Sequence, residues 1–193
     1  MLNYPTCKDY CFNSLFGGNG ALYSCRNLKF PLYLAGTCLQ SSFSWCQQMR
    51  WGPDILPATV LVSGCYGYMF QGNTRMRNMA ILPAIKATGW DYRYMYSYGG
   101  AGLGAGFITT PVYLSSLAQH CLGSMFYNAK INKLQVNFTD WNVTGATSDW
   151  VAGIPATVGT FIKPSALSTE FGNSRIPSGW TVVNRDPWQS LLD

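Results

Sequence analysis

The sequence predicts an α/β repeat fold: a solenoid of short strands and short helices with a C-terminal β cap. Three observations predict it, namely a regular series of prolines, an apolar hexad that recurs after them, and a change to β-like alternation once the last hexad has passed. Pro5, Pro31, Pro57, Pro83 and Pro111 lie 26, 26, 26 and 28 residues apart, by subtraction of those positions. A fixed period of that size signals stacked units.

Several of these prolines sit in similar extended apolar phrases: Ile55-Leu56-Pro57-Ala58-Thr59, Ile81-Leu82-Pro83-Ala84-Ile85 and Thr109-Thr110-Pro111-Val112-Tyr113. The hexads are Cys11-Phe12-Asn13-Ser14-Leu15-Phe16, Trp45-Cys46-Gln47-Gln48-Met49-Arg50, Cys65-Tyr66-Gly67-Tyr68-Met69-Phe70, Asp91-Tyr92-Arg93-Tyr94-Met95-Tyr96 and Cys121-Leu122-Gly123-Ser124-Met125-Phe126. In each, Cys or an aromatic precedes Leu or Met by three or four residues, which places both on one face of a short helix. Such a unit cannot bury its apolar side alone, so stacked units cover one another and equivalent residues form ladders. Cys11, Cys46, Cys65 and Cys121 are then small apolar ladder residues, with disulfides or metal binding as the alternative, and Trp45, Tyr66, Tyr92 and Phe126 belong to the core.

After the fifth hexad, Lys133-Leu134-Gln135-Val136-Asn137-Phe138 alternates like a half-buried strand, and no sixth hexad follows. The solenoid of about five repeats is therefore assigned to residues 1–147 and a C-terminal β cap to 148–193. The cap reads as two short β segments around Gly159-Thr160-Phe161-Ile162-Lys163 and Trp180-Thr181-Val182-Val183, a tryptophan-bearing hairpin over the open apolar end.

Composition narrows the function classes. Charged residues are 11% of the chain and aromatics 15%, a surface better suited to an extracellular or particle-borne protein than to a typical cytosolic enzyme. The net charge of +5 arises from scarce acids, with no basic run denser than Arg75-Met76-Arg77, which argues against nucleic acid as a partner. No stretch reaches the roughly 18 uninterrupted apolar residues of a membrane span. The first residues, Met1 to Asp9, lack the basic start and apolar core of an export signal. The seven cysteines contain no C-x-x-C pair of the zinc type.

Leu56-Pro57-Ala58-Thr59-Val60-Leu61 leading to Cys65-Tyr66-Gly67-Tyr68-Met69-Phe70-Gln71-Gly72, together with Gly159-Thr160-Phe161 and Ile176-Pro177-Ser178-Gly179-Trp180-Thr181-Val182, resembles the leucine-rich-repeat surface proteins of the BspA type, found in gut bacteria and their phages. In that family the phrase reads approximately L-P-A-T-x-L, then C-Y-x-x-M-F-x-G-C, then T-S-L. Here Asn73-Thr74-Arg75-Met76 departs from the last part, and Gly17 to Ala21 and Gly99 to Gly106 lengthen two connections. The resemblance implies a leucine-rich-repeat-like solenoid, cell-surface or virion display, and recognition or adhesion as the activity.

Catalytic alternatives are weaker. His120 adjoins Cys121, but a Cys-His dyad requires closeness in space, and a ladder cysteine points inward while its neighbour does not. Asp140 and Asp149 could pair for glycoside hydrolysis only at a separation that the spacing does not specify. Gly100 to Gly106 lacks the flanking strand, helix and acidic residue of a dinucleotide site. Asn137-Phe138-Thr139 and Asn142-Val143-Thr144 match glycosylation sequons. The aromatics least bound to the repeat, Trp51, Tyr94, Tyr96 and Tyr98, together with Arg50, Arg75, Arg77 and Arg93, form the candidate binding surface, since flat rings and arginines serve sugar stacking and protein hot spots. The expected protein is a non-enzymatic recognition module for a host glycan or protein, without cofactor or metal. A structural or decoration protein of a virion is the alternative.

Overall fold

The computed structural model describes residues 7–100 and 114–185. Pro5, Pro111 and the glycine-rich stretch beyond Gly100 lie outside them. Among the described residues there is no helix, and the regular strands are three: β1 (Lys133–Gln135), β2 (Thr160–Lys163) and β3 (Thr181–Asn184), parallel in one sheet of order β1-β2-β3. This overturns the expected α/β leucine-rich-repeat-like solenoid of short strands and short helices with a β cap. The supposed hairpin of the tail is a pair of parallel strands, Phe161 facing Val182 and Leu134 facing Phe161.

What replaces each helix is a ribbon of overlapping turns. In residues 8–19, the N–H groups of Cys11, Asn13, Leu15, Gly17 and Asn19 each donate to the carbonyl three residues back. The N–H groups between them, of Tyr10, Phe12, Ser14, Phe16 and Gly18, donate instead to the carbonyls of Gly36, Cys38, Gln40, Ser42 and Ser44 in the next coil. Backbone polarity is thus satisfied alternately within a coil and between coils, as buried chain requires. Every fourth residue adopts positive φ, as at Tyr10, Ser14 and Gly18, because every second turn needs a left-handed third residue. A right-handed helix cannot pass through such residues. The four-residue spacing read as one helical face is equally one side of this ribbon.

The same turn pattern recurs around residues 35–46, 62–73, 90–99, 118–129 and 143–154, and each ribbon but the sixth is bonded forward to the next. The sixth ribbon carries Ala146 to Val151 where no sixth hexad was expected, and it runs through residue 148. The second equivalent hexad is Cys38-Leu39-Gln40-Ser41-Ser42-Phe43 rather than the one beginning at Trp45: Phe12 donates to Cys38 and Leu39 to Cys65. Ser42 stands where the first, third, fourth and fifth ribbons have Leu or Met. Its hydroxyl donates its one proton to the Phe12 carbonyl (2.6 Å), with the Leu39 carbonyl a second acceptor within reach (2.9 Å), which lets a polar residue be buried there.

The core is a ring ladder. Phe16, Phe43, Phe70, Tyr96 and Phe126 follow one another at centroid distances of 5.3, 5.7, 5.6 and 6.1 Å with interplanar angles of 21° or less. Tyr66 and Tyr92 form a second, parallel stack at 5.9 Å. Trp150 closes the first ladder edge-on against Phe126 at 6.2 Å. The loop near 173–175 covers the sixth ribbon, where Val151 N–H donates to Asn173 and the Trp150 indole to Arg175. Beyond the ribbons the coils touch through isolated parallel bridges, Ser24 with Trp51, Ile55 with Ile81, and Lys86 with Ser116.

Cys38, Cys65 and Cys121 are buried in one column and Cys25 and Cys46 are buried elsewhere, whereas Cys11, on the first ribbon, is exposed. Asp91 takes the cysteine position in the fourth ribbon. It is fully buried, and its carboxylate accepts from Thr88 N (2.6 Å), Thr88 Oγ1 (3.0 Å) and Gly89 N (3.1 Å). Burial pushes its carboxyl above the ordinary range despite these bonds. For a raised acid the folded state holds the proton longer than the unfolded state, so stability falls as pH rises from the ordinary aspartate range through the raised value. Asp91→Asn keeps an acceptor for both N–H groups and can donate to the Thr88 hydroxyl. It is expected to melt at or above the wild-type temperature at pH 7 and to lack the wild type's decline between pH 4 and 7, as thermal denaturation at both pH values would show.

Candidate functional site

The positive-φ residues of the second to sixth ribbons fall into three columns. The first contains Thr37, Gly64, Trp90, His120 and Gly145; the second Ser41, Tyr68, Tyr94, Ser124 and Asp149; the third Trp45, Gly72, Tyr98, Asn128 and Gly153. Glycine, Asn and Asp tolerate this conformation, whereas other side chains are strained by about 1–2 kcal/mol per residue. Five bulky aromatics nevertheless occupy the middle ribbons, and they meet. Tyr68 stacks on Tyr94 at 4.9 Å, Trp90 lies 4.7 Å from His120, and Trp45 reaches Tyr98 at 6.2 Å. Tyr127 completes the band against Tyr98 at 5.6 Å.

Glycines in the next ribbon provide the floor for two of these rings, Trp45 and His120. A Cβ at Gly72 would come within 2.5 Å of the Trp45 indole, and one at Gly145 within 2.5 Å of His120 Nδ1. Trp45, Trp90 and Tyr98 remain 46%, 43% and 41% exposed, so the rings are supported on one side and open to solvent on another. Arg93 lies among them, its guanidinium 4.3 Å over Trp90 and 5.0 Å over Tyr94.

The structure divides the eight residues singled out from sequence. Arg93, Tyr94 and Tyr98 belong to the band. Tyr96 does not: it is fully buried in the ring ladder, its hydroxyl accepting from Ala80 N at 3.1 Å, and it can present no face to a ligand. Arg50, Trp51, Arg75 and Arg77 gather where the chain leaves the second and third ribbons. There Arg50 lies over Tyr23 (5.7 Å), Arg26 over Trp51 (5.3 Å), and Arg75 donates to Gln48 (2.6 Å); Arg77 is exposed, its N–H bonded to the Arg50 carbonyl. Trp45, expected in the core, is on the surface. Trp90, Tyr68 and Trp45 were not singled out, although the spacing Trp90-x-x-x-Tyr94-x-x-x-Tyr98, set against Gly64-x-x-x-Tyr68-x-x-x-Gly72, marks the outward columns.

His120 and Cys121, weighed as a catalytic dyad, differ in burial and surroundings. His120 faces Trp90 outside, while Cys121 is buried and its thiol is pushed up to about 12 by burial. Asp140 is exposed and accepts from Asn142 N at 2.8 Å, and Asp149 is exposed on the sixth ribbon. Among the described residues, no group of three or more His, Cys, Asp or Glu side chains could hold a metal ion, and no helix is long and apolar enough to cross a membrane. An apolar groove of about 250 Å³ at the first ribbon, lined by Phe12, Phe16, Leu28, Phe30 and Phe43, offers few polar groups to orient a ligand. No family model, curated protein or solved structure matches the chain.

Proposed function

We propose that the chain is a non-enzymatic recognition module, displayed on a bacterial surface or a virion, that binds a host surface glycan through the aromatic band. The observation that carries this reading is the placement of Trp45, Tyr68, Trp90, Tyr94 and Tyr98 at left-handed positions, where a neighbouring ribbon has glycine beside Trp45, Trp90 and Tyr98 and serine flanks the Tyr68–Tyr94 pair. The turns require a left-handed residue at these positions in every ribbon, but they do not require a bulky ring there where glycine would serve. Partly exposed, pre-positioned rings can offer apolar faces to sugars at little cost in conformational entropy. The low charge of the chain supports the same setting.

The test separates binding from folding. Trp45→Gly and Trp90→Gly relieve backbone strain while deleting a ring, so each is expected to melt close to wild type yet lose glycan binding by about tenfold or more. Tyr10→Gly, on the first ribbon away from the band, is the control and should bind normally. A glycan array with no saturable wild-type binding, or one unaffected by both tryptophan variants, would remove the reading.

A structural role in a virion is the second reading, favoured by a different face. Leu28, Ile55, Ile81, Val60 and Ile85 are 46–69% exposed along successive coils, and exposed apolar surface of that kind marks contacts between proteins. Sedimentation showing stable assemblies that Ile55→Ser and Ile81→Ser disperse would support it.

A further inference from the structure

We propose that the ligand of the aromatic band is an acidic glycan, its carboxylate or sulfate bound by Arg93. This rests on the band being the binding surface. Arg93 is held in place from three sides: its guanidinium lies over Trp90 at 4.3 Å and Tyr94 at 5.0 Å, and its stem crosses Gly123, where a Cβ would stand 3.6 Å from Arg93 Cγ and 3.7 Å from Nε. The rings hold the cation through their faces. They leave the N–H edge, which is the part that grips a planar anion.

That edge has no carboxylate partner among the described residues. The ion pairs there are Arg26 with Asp54 and Arg175 with Glu170. Asp91, two residues from Arg93, is buried and occupied by Thr88 and Gly89. Asp149, the acid on the same outward face, lies two ribbons further along the column. A guanidinium fixed in place without an anion, on a face poor in acids, is pre-organised for one supplied by a ligand, and the rings beside it suit the apolar face of the adjoining sugar. A single fixed arginine in this band, rather than a row of cations, favours a sugar acid over a nucleic-acid backbone.

The experiment measures binding of the wild type, Arg93→Gln and Arg93→Lys to immobilised polygalacturonate, dextran sulfate, neutral dextran and a single-stranded oligothymidylate. The expected result is saturable binding of the wild type to one or both acidic polysaccharides, weakened by salt, and not to neutral dextran. Arg93→Gln should weaken it by about tenfold or more, with Arg93→Lys, which keeps the charge but not the fork, in between. Preference for polygalacturonate identifies a carboxylate ligand, and preference for dextran sulfate a sulfated one. Equal binding to neutral dextran, or acidic binding that neither salt nor Arg93→Gln changes, overturns the assignment of an acidic ligand and leaves the aromatic band standing. Tighter, Arg93-dependent binding to the oligothymidylate overturns it in favour of nucleic acid. No binding to any probe, with none on a broader glycan array, overturns both. Salt dependence of the wild type keeps the test decisive even if a variant folds poorly.

Discussion

Phe70→Ala is expected to cost about 3–5 kcal/mol and to leave the chain largely unfolded at room temperature or melting far below wild type. Phe70 is fully buried and sits at the centre of the ring ladder, 5.7 Å from Phe43 and 5.6 Å from Tyr96. Its removal deletes two stacked contacts, each worth about 0.5–1.5 kcal/mol beyond area burial, and leaves a cavity that hydrogen-bonded backbone on both sides cannot close. Phe16→Ala is the comparison. Phe16 begins the ladder, is only half-buried, and has one ring neighbour, Phe43, so its loss should cost about 1–2 kcal/mol. Urea unfolding of both variants measures the difference. Similar midpoints would mean that the ladder is not the nearest-neighbour stack described, in which an inner ring has two partners and a terminal ring one.

Gly100→Ala is expected to be nearly as damaging, at about 3 kcal/mol or more, for a reason that the amino-acid exchange itself conceals. A Cβ there would lie 2.6 Å from the backbone nitrogen of Met76 and would also overlap its carbonyl. Backbone cannot turn aside as a side chain can, so the coils at 76 and 100 must separate. A nearby bond that depends on their approach is Gly72 N to Ser97 O (2.9 Å). Gly18→Ala is the contrasting case. It has φ of +73° and nothing within 4 Å of the added Cβ, and should show only the cost of the left-handed conformation, about 1 kcal/mol. Thermal melts of the two variants would separate a steric clash from a conformational preference.

The period and much of what is buried are already legible in the order of the residues. Equivalent prolines recur every 26 residues or so, and backbone bonds join coils at that offset, as from Tyr10 to Gly36 and Thr37 to Ser63. Tyr66, Tyr92 and Phe126 were legible as core because burial needs only a regular apolar repeat. Local conformation was not legible. Apolar residues four apart lie on one face of a helix and on one side of the turn ribbon alike, and what separates the two is whether alternate N–H groups bond within the coil or to the next one, a property of the stack. The displaced second hexad has the same origin, since Ser42 can replace methionine only because the Phe12 carbonyl of the preceding coil accepts its hydroxyl.

The site was half readable for a related reason. Arginine and tyrosine outside the apolar pattern pointed to Arg93, Tyr94 and Tyr98, but Tyr96 looks equally free in sequence and only the rings of Phe70 and Phe126 in adjoining coils place it inside. Trp45 looks like core until Gly72, 27 residues away by subtraction, is seen to lie under its indole. Which side chains line up across coils depends on register between segments far apart in the chain. That register is set by hydrogen bonds and packing formed only when the coils stack, so the aromatic band belongs to the tertiary structure, while the residues that fill it belong to the sequence.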